Sequence, residues 1–151
     1  MDVLIVLFTT FIAGILISKL TKRDFKWRFS GNLAMCCMLC FTGVGHFLFT
    51  KGMAMMLPSV VPYREALVYI TGVAEFIFGV LLLFPAYRKT TGIIIILFFI
   101  LILPANIYAS LHNVNLMEAN YTGKGITYLW FRVPLQVFLI VWVYVFSIRK
   151  M

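Results

Sequence analysis

Acidic residues are scarce. The 151-residue chain has five Asp or Glu against thirteen Lys or Arg, and charged side chains make up only 12% of it. Soluble domains average about 25% charged and about 45–50% apolar residues. Here 63% of residues are hydrophobic and the mean hydropathy is +1.02. A soluble fold of this size buries only about 70% of the surface its unfolded chain exposes, too little to hide so much apolar area. Lipid is the solvent that accepts the remainder. No basic soluble segment is present, so the net charge of +8 does not indicate nucleic-acid binding. Missing too are a Cys-x-x-Cys-His haem run, an iron–sulfur cysteine set and a dinucleotide-binding glycine fingerprint. Any redox role therefore requires a partner protein that carries the electrons. Cysteine is limited to Cys36, Cys37 and Cys40. A bridge between positions 36 and 40 of one helix has poor geometry, and small apolar filler is a better reading than a soft-metal pair. No metal site is expected. His46 and His112 are the only histidines. The sequence has no internal repeat and no low-complexity tract.

What is present is a set of long, continuous apolar runs. Spanning backbones must satisfy their own hydrogen bonds, so helices or a closed barrel are the options, and unbroken runs exclude the alternating pattern of a barrel. Five stretches fall between charge boundaries: Val3 to Ser18, Phe29 to Thr50, Ala66 to Phe84, Thr90 to Tyr108 and Ile126 to Ile148. The first is short for a span of about 20 residues, unless Asp2 and Lys19 snorkel. It competes with a signal peptide, but only Asp2 precedes it and no small-x-small cleavage site follows, which favours a retained helix. The expected fold is all-α: a polytopic membrane protein with a four-helix transmembrane bundle over residues 29–151. An extra N-terminal transmembrane helix and a basic loop fill residues 1–28.

The cations orient this bundle. Lys19, Lys22, Arg23, Lys26, Arg28, Arg88, Lys89, Arg149 and Lys150 fall at one side, with Asp24 among them; Lys51, Arg64 and Lys124 fall at the other. The richer side belongs in the cytoplasm. The N-terminus is then outside and the C-terminus cytoplasmic, with the bacterial inner membrane as the expected location. Between the second and third spans, Met53 to Arg64 carries Pro58 and Pro62, which break helix, and reads as an interfacial segment or a cover for the bundle mouth. In the last outer loop, Asn120-Tyr121-Thr122 matches a glycosylation sequon, relevant only in a eukaryotic secretory host.

Ionisable groups inside a span cost about 2.5–3.5 kcal/mol on insertion scales, so each needs a reason. His46, Glu75 and Arg132 stand out, accompanied by Asn106 and Gln136. At ~1.5 Å per residue, Glu75 and Gln136 lie ~15 Å below the outer surface, Arg132 ~9 Å and His46 ~6 Å, with Asn106 shallower. All five occupy the outer half. Arg132 and Gln136 stack four residues apart on one face, and Gly72, Glu75 and Gly79 share another. The simplest expectation is a Glu75–Arg132 pair extended by Gln136, His46 and Asn106. It reads either as an ion pair that fixes helix register or as the polar end of an apolar pocket. Tyr63, Tyr69, Tyr108 and Tyr128 are rim candidates, although an interfacial aromatic belt explains most of them.

Several motifs carry a resemblance. They are Gly45-His46-Phe47, Met56-Leu57-Pro58 with Val61-Pro62, and Thr71-Gly72-Val73-Ala74-Glu75 with Gly79. Pro104-Ala105-Asn106 and Arg132-Val133-Pro134-Leu135-Gln136 complete the set. Over about Gly31 to Phe146 the chain resembles the DoxX-like family of small membrane proteins, whose four-helix core does not include the first helix. The resemblance implies a place near thiosulfate:quinone or other redox systems and transfers no chemistry by itself.

Three functional readings follow. One is an accessory subunit of a membrane redox system that binds a quinone, non-covalently, or a lipid through His46, Glu75, Asn106, Arg132, Gln136, Tyr69 and Tyr108. The second is an enzyme on a lipid-like or sterol-like substrate with Glu75 as acid and base. The third is a structural or assembly factor without a small ligand. The expected partners are membrane lipids and a redox protein; an oligomer is compatible with all three.

Overall fold

The computed structural model describes residues 2–20 and 27–149. Lys22, Arg23, Asp24, Lys26 and Lys150 lie outside the described residues. The five apolar runs are helices: α1 (Asp2–Leu20), α2 (Trp27–Leu48), α4 (Arg64–Leu83), α5 (Arg88–Leu111) and α6 (Ile126–Val143). A short α3 (Thr50–Met55) follows α2. Among the described residues five helices are long and apolar enough to cross a membrane, the last running Ile126–Ile148 with a terminal π-helical turn at Tyr144–Ile148. Helices α2, α4 and α5 start two residues before the apolar run that marks each, because flanking Arg and Lys side chains sit comfortably on a first helical turn, and α2 and α4 stop two and one residues short of its end.

Connections alternate between two ends. The basic end holds the start of α2, the turn at 84–87 and the end of α6; the opposite end holds α3 and the loop 112–125. Helix stops follow backbone chemistry: α3 ends before Pro58, and Pro85 follows α4. Pro104 and Pro134 lie inside α5 and α6 and leave carbonyls of the preceding turn without a backbone donor. The Met53 to Arg64 segment expected to be irregular begins as the last part of α3 and then becomes a series of turns up to Pro62.

The shared core is apolar and runs through the middle. Met35, Met38 and Leu39 of α2, Leu82 of α4, Ile95 and Phe99 of α5, and Leu139 and Val143 of α6 are buried together. Helix α1 contributes one buried side chain, Leu7, and packs on α2 and α6 through an aromatic cluster. Phe11 meets Trp142 and Phe146 edge-on at 5.0 and 5.4 Å between centroids. The outward faces remain apolar: Leu101 is 75% exposed and Trp130 81%. A soluble monomer does not present such a surface, and a membrane-spanning one does.

Candidate functional site

The tightest helix seam joins α2 and α4. Gly72 makes it possible, since a Cβ there would come within 2.7 Å of the His46 Cβ. Close backbones bring four polar side chains together in a reciprocal arrangement. Thr42 and His46 stack one turn apart on α2, and Thr71 and Glu75 stack one turn apart on α4. The helices run antiparallel, so each threonine meets the other helix's ionisable group. The Thr42 hydroxyl donates to Glu75 Oε2 at 2.7 Å, and the Thr71 hydroxyl lies 3.1 Å from His46 Nδ1. The diagonal is His46 Nε2 to Glu75 Oε1 at 3.5 Å.

Proton bookkeeping follows from this geometry. His46 Nδ1 sits 2.9 Å from the Val68 carbonyl, which only accepts, so Nδ1 carries a hydrogen. Nε2 is then the nitrogen that gains or loses a proton, and it faces a carboxylate oxygen. A hydrogen on Nε2 as well would make His46 an imidazolium facing the Glu75 carboxylate. Glu75 is 4% exposed, while the His46 side chain keeps 15% of its surface open.

Arg132 does not join this cluster. Helix α6 packs against α5 and α1, on the far side of the bundle from α4. Arg132 Nε donates to the Tyr128 hydroxyl one turn away, and its guanidinium lies 4.9 Å from the Tyr128 ring centroid. The expected Glu75–Arg132 pair is replaced by Glu75–His46 and Arg132–Tyr128. Gln136 is buried between α6 and α5, where its amide donates to the Phe99 carbonyl in the turn before Pro104. Asn106 is buried on α5, and Tyr108 stacks on His112 at 4.0 Å. The seven sequence candidates thus divide: His46, Glu75 and Tyr69 belong to the α2–α4 seam, and Asn106, Tyr108, Arg132 and Gln136 belong to α5 and α6.

Thr42 was not singled out by sequence, and Thr71 entered only as part of the motif that ends in Glu75. The signal was available, since each lies four residues before its ionisable neighbour. Directly beyond the seam, toward α3, lies a cavity of about 370 Å³. Phe47, Tyr69, Lys51, Glu65, Met117 and Glu118 are among its walls. Phe47 and Tyr69 are in ring contact at 5.6 Å and immediately follow His46 and Val68 in the chain.

At the basic end a second polar cluster appears, one that a search for ionisable residues misses. Asn32 Nδ2 donates to the Phe146 carbonyl at 3.0 Å, Arg28 Nε donates to the same oxygen at 3.3 Å, and the Ser147 hydroxyl donates to Asn32 Oδ1 at 2.6 Å. The Trp142 indole donates to the Gly31 carbonyl at 3.1 Å. Residue 31 must be glycine, because a Cβ there would overlap the Phe146 ring. The cluster satisfies carbonyls left open where α6 ends in its π turn.

These features define a class: an all-helical protein with, among the described residues, five helices of membrane-crossing length and a His46–Glu75 contact in one seam. The chain belongs to the family of the domain of unknown function DUF8561, whose family model matches residues 35–147. The match runs from the first half of α2 into the terminal π turn and leaves α1 outside it. No curated protein and no solved structure matches the chain.

Proposed function

We propose that the protein is a ligand-binding accessory subunit of a membrane redox system, holding a quinone or a lipid-like carbonyl compound beside the α2–α4 seam. In this reading the nine-cation end faces the cytoplasm, the α3 end faces outside, and the DoxX-like resemblance supplies the redox context. The observation that carries it is the cavity of about 370 Å³ walled by Phe47 and Tyr69, whose chain neighbours His46 and Val68 belong to the seam. That volume suits a small ring compound. Phe47 and Tyr69 offer flat apolar contact, and the Tyr69 hydroxyl and Lys51 ammonium are donors for a ligand carbonyl. His46 directly precedes Phe47, and Val68, whose carbonyl faces His46 Nδ1, directly precedes Tyr69, so a ligand that moves either ring acts on the seam.

The test is mass spectrometry of the organic extract from protein purified in native nanodiscs. A quinone at near-stoichiometric amount in the wild type, lost in Phe47→Ala and Tyr69→Ala variants of unchanged thermal stability, is the expected result. Extracts without any enriched compound sink the reading and leave the assembly-factor function.

The His46–Glu75 contact supports a second reading, an enzyme using Glu75 as acid and base on a lipid-like substrate. It requires a sterol-like or fatty compound in the same extract and loss of turnover in Glu75→Gln. A Glu75→Gln protein with normal turnover excludes it.

A further inference from the structure

We infer that Arg28 and Arg88 form a binding site for the phosphodiester of an anionic phospholipid headgroup at the basic end of the bundle. Three chain ends converge there. Arg28 and Asn32 occupy the first turns of α2, Arg88 and Gly92 the first turns of α5, and Phe146 and Ser147 the last turn of the chain's π-helix. Asn32 hydrogen-bonds Ser147, and Ser147 packs directly on Gly92, so the two arginines stand one helical turn away on either side of a common floor.

Each guanidinium is partly used and partly free. Arg28 spends Nε on the Phe146 carbonyl. Arg88 spends Nε on Leu82 and Nη2 on Leu83, closing the end of α4. Those bonds fix both side chains and leave Arg28 Nη1 and Nη2 and Arg88 Nη1 as donors. Both residues are only half-buried, so a ligand can reach them. Among the described residues no carboxylate balances them. Asp2, Glu65 and Glu118 lie at the other end and Glu75 in the seam; Asp24 lies outside the described residues.

Two fixed guanidiniums with no carboxylate beside them among the described residues, at the starts of two helices, offer donors to an anion with several oxygens. A phosphate fits this fork geometry better than a carboxylate, and helix N-termini add favourable dipoles. The height of the site, at the ends of membrane-length helices, is where lipid phosphates lie. The carbonyl capping alone does not account for the pair, since it consumes only three of the ten N–H groups that two guanidiniums provide.

Native mass spectrometry of the whole protein in neutral detergent tests the site, with dioleoylphosphatidylglycerol and dioleoylphosphatidylcholine as probes. The wild type is expected to hold one phosphatidylglycerol about tenfold more tightly than phosphatidylcholine. Arg28→Gln and Arg88→Gln should each remove most of that preference. Lys89→Gln deletes an equal, exposed charge next door and should leave it within about twofold, because exposed charges act weakly. Should the glutamine variants fail to fold, Arg28→Lys and Arg88→Lys keep the charge but lose the fork, and are expected to weaken the preference severalfold. Inorganic phosphate separates the sources: displacement of the lipid at millimolar phosphate assigns the site to a free phosphate, and retention assigns it to the headgroup. Equal binding of the two lipids by the wild type overturns the proposal. So does a loss in Lys89→Gln as large as in Arg88→Gln, which marks diffuse attraction instead of a site.

Discussion

Helix α2 carries two polar clusters ten residues apart, roughly 15 Å along its axis. Near its start, Asn32 joins Ser147, Arg28 and the Phe146 carbonyl. Further on, Thr42 and His46 join Thr71 and Glu75. The first cluster is explained by backbone need, since a π turn ends there and its carbonyls require donors. The second has no such debt. Its helices are complete α-helices, and an imidazole and a carboxylic acid are costly groups to bury for the sake of register, where a pair of threonines would serve. Polar groups that exceed what the backbone asks for are the better candidates for function.

The comparison breaks most readily at the basic end. Asn32→Leu removes three hydrogen bonds, to the Arg28 and Phe146 carbonyls and from the Ser147 hydroxyl, and strands that hydroxyl; the unfolding free energy in mixed micelles should fall by about 2 kcal/mol. The ligand content at the α3 end should stay unchanged in the fraction that folds. If Asn32→Leu also empties the ligand cavity, the two clusters are not separate.

Next in size is the coupling across the seam. In a double-mutant cycle with His46→Gln and Glu75→Gln, the interaction energy from thermal or denaturant unfolding should be about 1–1.5 kcal/mol, near the upper range for hydrogen bonds between membrane helices. Smaller still is the threonine. Thr42→Val keeps the shape and deletes the donor to Glu75 Oε2, at a cost of about 0.6–1 kcal/mol. It should also shift the carboxyl infrared band of Glu75, since that oxygen loses a donor. An unchanged carboxyl band means that Thr42 does not bear on the Glu75 carboxyl.

How much of this was written in the sequence follows from the kind of signal. Spans are legible because hydropathy and flanking charge vary along one dimension, and all five helices fall within a few residues of the apolar runs. His46 and Glu75 were legible because ionisable groups stand out against lipid-type segments. Asn32 and Ser147 were not, because neutral polar side chains hardly disturb hydropathy. Helix α3 was hidden as well: six residues, Thr50–Met55, are too few to show a period, and Pro58 drew attention to the break after it. Partners were the least legible. Depth and helical face can both be counted from a sequence, but which helices are neighbours cannot, so residues at similar depth looked like one cluster.

Arg132 is where that limit bears hardest, and it yields the smallest expected effect. Its depth made it the natural partner for Glu75, yet it engages Tyr128 on the same helix, and α6 is separated from α4 by α2 and α5. Arg132→Gln should therefore cost only about 0.5–1 kcal/mol, the value of one cation–π contact near a surface. Combined with Glu75→Gln, it should show an interaction energy within about 0.5 kcal/mol of zero, as for independent sites. That near-zero value sharpens the comparison, because it confines the ionisable pair to the α2–α4 seam and leaves His46 as the carboxylate's partner. A coupling above about 1.5 kcal/mol would bring α6 beside α4, merge the sites at the α3 end into one, and remove the reason for pairing Glu75 with His46.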